Sequence, residues 1–164
     1  MMRPYDSRDL DWVMQTADRA WRGINAAYRR ALGQELYDIL FPGGDSRKGK
    51  EMSSACAERP EEVWVCEEAG RRVGFVSATM DEERRVGVIG NNAVDPDCGL
   101  KGIGQQMYGF VLERFRSRGM LVAKVQTGLD EGYERARRAY ERAGFDRSLP
   151  SITYYLKLPP VAHP

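Results

Sequence analysis

The stretch of this chain that most clearly indicates chemistry is a glycine-rich segment, Val94 to Tyr108. An apolar run ends at Pro96, glycines follow at Gly99, Gly102 and Gly104, and an amphipathic pattern then begins. This order predicts a strand, a loop and a helix N-terminus, where free backbone N–H groups and the helix dipole bind anions. Glycines also let a phosphate approach the backbone closely. The segment therefore predicts a site for a phosphate-bearing cofactor.

Two well-known nucleotide motifs do not fit this segment. The phosphate-binding loop of nucleoside triphosphatases needs a lysine and a hydroxyl residue after its second glycine, where this chain has Gln105 and Gln106. A dinucleotide fingerprint needs a third glycine at the position of Met107, and an acidic residue about twenty positions further on. Residues 121–125 offer no such acid. Both nucleotide-binding interpretations fail.

The same segment resembles the acyl-CoA loop of the GNAT family of N-acetyltransferases, which reads Val-x-Pro-x-x-Arg/Gln-Gly-x-Gly-Ile-Gly. Five residues match it, and Gly99 and Leu100 depart from it, standing where Arg or Gln and then Gly are usual. The resemblance implies that backbone N–H groups of the loop bind the CoA pyrophosphate, with Lys101 supplying charge. The implied cofactor-binding residues are Ala93, Val94, Gly99, Leu100, Lys101, Gly102, Ile103, Gly104 and Gln105.

A second segment, Ala136 to Phe145, resembles the later Ala-x-x-Leu/Ala-Tyr-x-Lys-x-Gly-Phe motif of the same family. Its residues independently predict a short helix, because its alanines and Tyr140 fall on one face and Gly144 is a natural C-terminal cap. Tyr133 stands where the family often has Asn. The two motifs are in order and correctly spaced, so the resemblance covers residues 60–158.

Acetyl transfer from a thioester to an amine needs a neutral amine, a polarised carbonyl and a proton for the departing thiolate. A tyrosine, whose pKa is about 10, keeps its proton at neutral pH and can donate it. The resemblance implies that Tyr140 is this general acid; packing of its ring against the sheet is the alternative. It also implies that backbone N–H groups at residues 92–94, on a bulged strand, meet the carbonyl oxygen. No general base is identified, since the acidic turn at residues 81–83 also has the pattern of a charged hairpin tip.

In this family the N-terminal helices wall the acceptor site, so polar and aromatic residues there are candidate substrate contacts. Asn25 is the most informative of them, because a polar residue amid apolar ones needs a hydrogen-bond partner. The candidate substrate residues are Asn25, Tyr28, Asn91, Asn92, Thr127 and Tyr133. The resemblance implies acetyl-CoA as acyl donor, no metal, and an acceptor that is the amine of a small molecule or of a peptide.

Composition limits the other functions. The chain has 164 residues, with 25 basic and 24 acidic side chains and a formal net charge of +1, which gives no electrostatic case for binding nucleic acid or a membrane. Its three cysteines have no C-x-x-C spacing and its one histidine, His163, lies in the proline-rich end. A zinc site and a histidine-dependent nucleophile are therefore disfavoured. The absence of a signal-peptide pattern or a long apolar run favours a cytoplasmic protein.

The apolar patterns predict one α/β domain over residues 1–158 and a flexible tail at residues 159–164. Residues 1–60 are expected to form an acceptor-side strand and helices, and residues 61–158 the acyl-CoA core. The resemblance implies a mixed, mostly antiparallel sheet with a splayed parallel central strand pair and flanking helices. Predicted strands are residues 2–5, 63–67, 72–80, 86–94, 121–127 and 151–158, and predicted helices are residues 10–33, 35–41, 48–58, 102–117 and 136–143.

The sequence leaves two questions open. Because Gly99, Leu100 and Tyr133 depart from the family pattern, a non-catalytic acyl-CoA-binding sensor or structural module is the alternative to an enzyme. The sequence does not determine the oligomeric state, although small domains of this kind commonly form a homodimer through the C-terminal strands or the N-terminal helices.

Overall fold

Five strands form one sheet in which spatial order follows chain order. In the computed structural model, which describes residues 1–159, the strands are β1 (Met2–Pro4), β2 (Val63–Glu68), β3 (Arg71–Asp81), β4 (Val86–Val94) and β5 (Val122–Val125). Pairing is antiparallel from β1 through β4, and β4 pairs with β5 in parallel. The predicted mixed, mostly antiparallel sheet is confirmed.

Five α-helices flank the sheet within the described part of the chain. They are α1 (Leu10–Leu32), α2 (Gln34–Leu40), α3 (Arg47–Glu58), α4 (Ile103–Ser117) and α5 (Glu134–Arg142). Short 3-10 turns occur at Ser7–Asp9, Gly44–Ser46, Pro60–Glu62 and Glu131–Tyr133. All of the predicted helices are present, with ends within two residues of the predicted positions.

The first helical segment begins and ends at the residues whose chemistry predicts it. The Asp6 side chain accepts from a backbone N–H of the following turn, and the Asp9 side chain accepts in return from the Asp6 N–H, which completes a capping box. α1 ends before Gly33, whose φ of 77° favours glycine. α1 itself begins at Leu10, where the sequence predicts the helix to start.

The alternation along β2 shows how the layers are arranged. Val63 and Val65 belong to a buried cluster with α1 and α3, whereas Trp64 and Cys66 pack in a second cluster with α4 and α5. Successive side chains of a strand point to opposite faces, so the sheet lies between the N-terminal helices and the α4–α5 pair.

β4 carries the two irregularities that shape the site. Its pairing with β5 covers only Val86 to Ile89, so the remaining half of β4 is paired with β3 alone. Ser77 of β3 faces both Gly90 and Asn91, which is a β-bulge. A Cβ on Gly90 would lie 2.6 Å from Ser77 Oγ, so a larger residue there would displace the Ser77 hydroxyl from its place in the bulge. The bulge implied by the resemblance is therefore present, where β4 and β5 part.

The predicted strand at residues 151–158 is wrong. This segment is exposed and belongs to no sheet, and β5 remains an edge strand among the described residues. Phe145 packs against the core and its N–H donates to the carbonyl of Tyr140, but no strand follows. Alternating apolar residues fit a strand, but a strand also needs a neighbouring strand whose backbone it can pair with. In this segment Lys157 instead forms an ion pair with Glu35 of α2. Of the predicted flexible tail, residues 160–164 with His163 lie outside the described residues.

Candidate active site

The glycine loop connects β4 to α4 as the sequence predicts. Gly99 and Gly102 have φ values of 68° and 82°, in the left-handed region that favours glycine. A Cβ on either glycine would meet no atom within 4 Å, so it is the backbone conformation that requires these residues. Leu100 and Lys101 between them are exposed, which leaves the outer face of the loop open to a ligand.

The N-terminus of α4 has no side-chain cap and leaves its first backbone donors free. Gly102 is the N-cap residue, and no side chain caps the helix there. The first-turn N–H groups at Ile103, Gly104 and Gln105 precede the first intrahelical donor, Gln106, whose N–H reaches the carbonyl of Gly102 at 3.0 Å. The free N–H groups and the positive end of the helix dipole thus face the exposed loop.

Two predicted cofactor-binding residues have structural partners that fix the loop. Gln105 Nε2 donates to the carbonyl of Ala139 at 2.7 Å, which ties the first turn of α4 to α5. Gly104 lies beside the ring of Tyr108, since a Cβ there would be 3.5 Å from that ring. Ala93 and Ile103 are buried and belong to the two core clusters, so the loop is anchored at both of its ends.

Asp95 and Arg19 hold the start of the loop, and the sequence reading did not identify them. The Asp95 N–H donates to the carbonyl of Val73 at 2.8 Å, and its carboxylate accepts from the Asp97 N–H at 3.0 Å and from Arg19 Nη2 at 2.9 Å. An Asp at a strand end followed by a backbone turn is a recognisable signal for the first of these contacts. Nothing local in the sequence indicates the contact with Arg19, which comes from α1.

Tyr140 lies within a polar cluster at the far half of β4. Its side chain is 7% exposed. Asn92 Nδ2 donates to the Tyr140 hydroxyl at 3.0 Å, and the Tyr108 hydroxyl donates to Asn92 Oδ1 at 2.8 Å. The two phenol rings pack with centroids 4.9 Å apart. Burial raises the pKa of Tyr108 far above the usual range for tyrosine. Sequence reasoning proposed Asn92 and Tyr140 separately, and it missed Tyr108, which it placed only as the end of the glycine segment.

The acceptor-side candidates fall into separate groups. The hydroxyls of Tyr28 and Tyr133 are 3.1 Å apart, so α1 meets the turn before α5 at this pair. Burial is the main cause that raises the pKa of Tyr133 well above its ordinary value. Asn25 is 1% exposed and donates from Nδ2 to Asp45 at 3.2 Å, while its Oδ1 has no hydrogen-bond partner among the described residues. The sequence expectation that Asn25 needs a partner is thus met for one of its two polar ends.

The other two candidates make fewer contacts. The Asn91 carbonyl accepts from Ser77 Oγ at 3.1 Å within the bulge. Thr127 is half-buried and follows the end of β5 by two residues. Val94 pairs with Gly74 at the last position of β4. Of the candidate substrate residues, the structure joins Asn92 to the predicted acid and joins Tyr28 to Tyr133.

The three cysteines are buried and unpaired with one another. Cys66 donates from Sγ to Gln106 Oε1 at 2.7 Å, and burial raises the pKa of its thiol. Within residues 1–159, no group of three or more His, Cys, Asp or Glu side chains is placed to hold a metal ion. None of the helices in that same part of the chain is long and apolar enough to span a membrane.

The structure is an α/β fold with a mixed sheet, in which a bulged β4 is followed by a glycine loop and a helix without a side-chain cap. The particular family follows from comparison with known proteins. The model of the acetyltransferase (GNAT) family matches residues 26–145, and the chain belongs to this family. An uncharacterised N-acetyltransferase of Methanocaldococcus jannaschii is 32% identical over an alignment of 124 residues, and the match covers 68% of this chain and 54% of that protein. The chain thus spans about half the length of this curated relative.

Solved structures show the same fold at low sequence identity. The ribosomal-protein-S18-alanine N-acetyltransferase of Escherichia coli matches with a TM-score of 0.64 at 18% identity, over 91% of this chain and 79% of that one. The PaiA N-acetyltransferase of Thermoplasma acidophilum, solved in complex with coenzyme A, matches with a TM-score of 0.64 at 12% identity, over 89% of each chain. The predicted family and fold class are therefore confirmed.

Proposed function

We propose that this chain is an acyl-CoA-dependent N-acetyltransferase that moves an acetyl group from acetyl-CoA to a primary amine by direct attack on the thioester. The observation that carries the proposal is the glycine loop in a member of this family. Gly99 and Gly102 have left-handed backbones, and α4 begins without a side-chain cap. Backbone N–H groups at an exposed helix N-terminus are suited to a pyrophosphate.

The loop residues fit the cofactor despite their departures from the family pattern. Gly99 replaces a long polar side chain, but the N–H groups of the first turn of α4 do not depend on it. Leu100 and Lys101 are exposed and leave the approach to these donors clear. We propose that residues 99–105 hold the pyrophosphate and that Ala93 and Val94 face the pantetheine arm. Bound acetyl-CoA supplies an acetyl thioester, whose carbonyl carbon exchanges its bond to sulfur for a bond to the amine nitrogen.

Tyr140 is the proposed general acid. Its hydroxyl lies beside the half of β4 that has no β5 partner, which is the position where a ligand can enter the sheet. The phenol proton passes to the departing sulfur and is later recovered from water. Backbone N–H groups of residues 92–94 are the proposed donors to the carbonyl oxygen, because this half of β4 pairs with β3 but has no partner on its β5 side, beyond the bulge at Gly90 and Asn91.

The acceptor is proposed to be an amine of a small molecule or a peptide. Tyr28 and Tyr133 form one wall of the proposed acceptor side, and Asn25, Asn91 and Thr127 are further candidates. No side chain is assigned as general base, so the amine is proposed to lose its proton to water. The family relative from Escherichia coli acts on a ribosomal-protein alanine, according to its name.

A thiol-release assay tests the proposal. The purified chain is incubated with acetyl-CoA and a panel of amines: a polyamine, an arylalkylamine, an aminoglycoside, free amino acids and a peptide with N-terminal alanine. Acetylation of at least one amine, verified by mass spectrometry of the product, is the expected result. Tight binding of acetyl-CoA with no acetylated product from any amine favours the non-catalytic sensor or structural module instead.

A further inference from the structure

Asn92 bridges two phenols through different ends of its amide. Its Oδ1 accepts the hydroxyl proton of Tyr108 at 2.8 Å, and its Nδ2 donates to the hydroxyl oxygen of Tyr140 at 3.0 Å. The Tyr140 hydroxyl also lies 3.4 Å from Oδ1, but that separation is too long to compete with the Tyr108 bond. The two phenols are therefore not equivalent partners of this amide.

A third contact fixes which way the amide points. Asn92 Nδ2 also donates to the carbonyl of Gly90 at 3.1 Å, within the bulge of β4. A flipped amide would set Oδ1 against this carbonyl oxygen, and two acceptors cannot share a hydrogen bond. Both N–H hydrogens are thus used, one by Gly90 and one by Tyr140.

We infer that Asn92 is a positioning residue for Tyr140, holding the phenol by its oxygen so that its proton stays free for the departing sulfur. The inference rests on the proposed function, in which Tyr140 is the general acid. Asn92 keeps the same contact after the proton has left: its N–H donates to the phenolate oxygen, and a hydrogen bond to the charged form favours that form. The proton moves from the Tyr140 oxygen to sulfur, and water later returns one to the phenolate.

Tyr108 locks this arrangement and is not itself the acid. Its proton is engaged by Asn92 Oδ1, and its ring is buried with 4% exposed. Tyr108 occupies one lone pair of Oδ1 at 2.8 Å and so makes this oxygen a weaker acceptor for the Tyr140 hydroxyl, which lies 3.4 Å away. Its place on α4, one turn after Gly104, also links the cofactor loop to the cluster, because the ring of Tyr108 lies beside that glycine.

The isosteric change Asn92→Asp is the sharpest test of this role. A carboxylate accepts from both phenols and donates to neither, so the Tyr140 proton is drawn away from the sulfur. With the best amine of the panel, kcat is expected to fall about 10- to 100-fold, less than the roughly 10²- to 10⁴-fold loss expected when the acid itself is removed, while Kd for acetyl-CoA changes less than about twofold. Gln15→Glu, an amide-to-acid change on the exposed face of α1, is the matched control and keeps wild-type kcat.

Three further measurements separate positioning from packing. Asn92→Asp combined with Tyr140→Phe is expected to be no slower than Tyr140→Phe alone, because both act on one proton. With 4-nitrophenyl acetate as donor, whose phenolate leaves without a proton, the loss in Asn92→Asp is expected to shrink to less than threefold. Tyr108→Phe removes one hydroxyl from the cluster and is the alternative variant if Asn92→Asp does not fold. Because it frees Asn92 Oδ1 to accept the Tyr140 proton, kcat is expected to fall in this variant as well.

The outcomes distinguish this inference from the function on which it rests. If Tyr140→Phe is slow while Asn92→Asp and Tyr108→Phe keep wild-type kcat, Tyr140 stands as the acid and the role of Asn92 is overturned. Equal losses with acetyl-CoA and with 4-nitrophenyl acetate assign Asn92 to packing and also overturn it. Full activity of Tyr140→Phe contradicts the proposed acid, and a panel without any acetylated amine contradicts the proposed enzyme; either result removes the inference as well.

Discussion

Tyr140 carries the largest expected effect of any single side chain in the proposed mechanism. Replacing it with Phe removes the proton donor but keeps the ring that packs against Tyr108 and Phe145. We expect kcat to fall about 10²- to 10⁴-fold, with acetyl-CoA affinity nearly unchanged. Steady-state kinetics and calorimetry measure the two quantities. Tyr154→Phe, the same change at an 85% exposed position, is the control. A Tyr140→Phe variant with wild-type kcat would remove this residue from the mechanism.

Replacing a glycine by alanine is expected to have opposite effects at two positions of α4, its N-cap and its interior. Gly102→Ala places a side chain at a φ of 82°, which costs about 1 to 2 kcal/mol in the left-handed region, and it is expected to weaken acetyl-CoA binding as the loop relaxes. Gly109→Ala lies in the exposed interior of the same helix, where no atom is within 4 Å of the added Cβ, and it should stabilise the chain by about 0.5 to 1 kcal/mol. Thermal unfolding and calorimetry compare the pair. Equal stability of the two variants would contradict the assigned backbone role of Gly102.

At the scale of elements, the ion cluster between β1 and the start of α1 predicts a pH dependence of stability. Arg3 binds the buried Asp9 carboxylate with two hydrogen bonds, at 2.6 and 2.9 Å, and holds the pKa of Asp9 below its ordinary value. A lowered folded-state pKa stabilises the fold above the unfolded pKa of about 3.9, and this contribution disappears as pH falls through the lower folded value.

Asp9→Asn tests the origin of that dependence. The substitution should cost about 1.5 to 3 kcal/mol at pH 7 and make the unfolding free energy less dependent on pH below 4, because hydrogen bonds to a charged partner are lost. Asp11→Asn, at an exposed position of α1, is the control. Denaturant titrations at pH values from about 2.5 to about 7 measure the unfolding free energy across the range in which Asp9 gains its proton. A pH dependence identical to that of the wild-type chain would show that Asp9 is not its source.

The elements differ in how far the sequence could predict them. Regions with a periodic apolar pattern and a cap, such as α1 between Asp6 and Gly33, were predicted to within two residues. Residues 151–158 have the alternation of a strand, but an alternating pattern does not reveal whether the edge of a neighbouring strand is available for pairing. Leu156 of this segment, for example, is 81% exposed.

The site shows the same division between local and non-local information. The glycine loop could be predicted because its conformational demands lie in consecutive residues. The Asn92–Tyr108 bond could not, because its partners are brought together by β4 and α4, sixteen positions apart. The contact from Arg19 to Asp95 spans 76 positions and likewise depends on the fold.

For the whole molecule, we propose a homodimer on the basis of the exposed apolar C-terminal segment. Ile152 and Leu156 are 74% and 81% exposed, and β5 leaves an open sheet edge with Val122 54% exposed. Exposed apolar segments and open sheet edges are both prone to pair with another chain. We expect a concentration-dependent dimer in analytical ultracentrifugation, and we expect Ile152→Lys with Leu156→Lys to shift it to monomer. A wild-type chain that stays monomeric at high concentration would contradict this expectation.

The central claim is that the loop between β4 and α4 binds the CoA pyrophosphate. Calorimetric titration of the purified, dialysed chain with acetyl-CoA tests it most directly, with dephospho-CoA and ATP as comparison ligands. The structure of the loop predicts micromolar binding of acetyl-CoA and no comparable binding of ATP, because Gln105 and Gln106 stand where a nucleotide triphosphatase has its lysine and hydroxyl residue. An absence of binding heat with acetyl-CoA, in a chain that is folded, would contradict the claim.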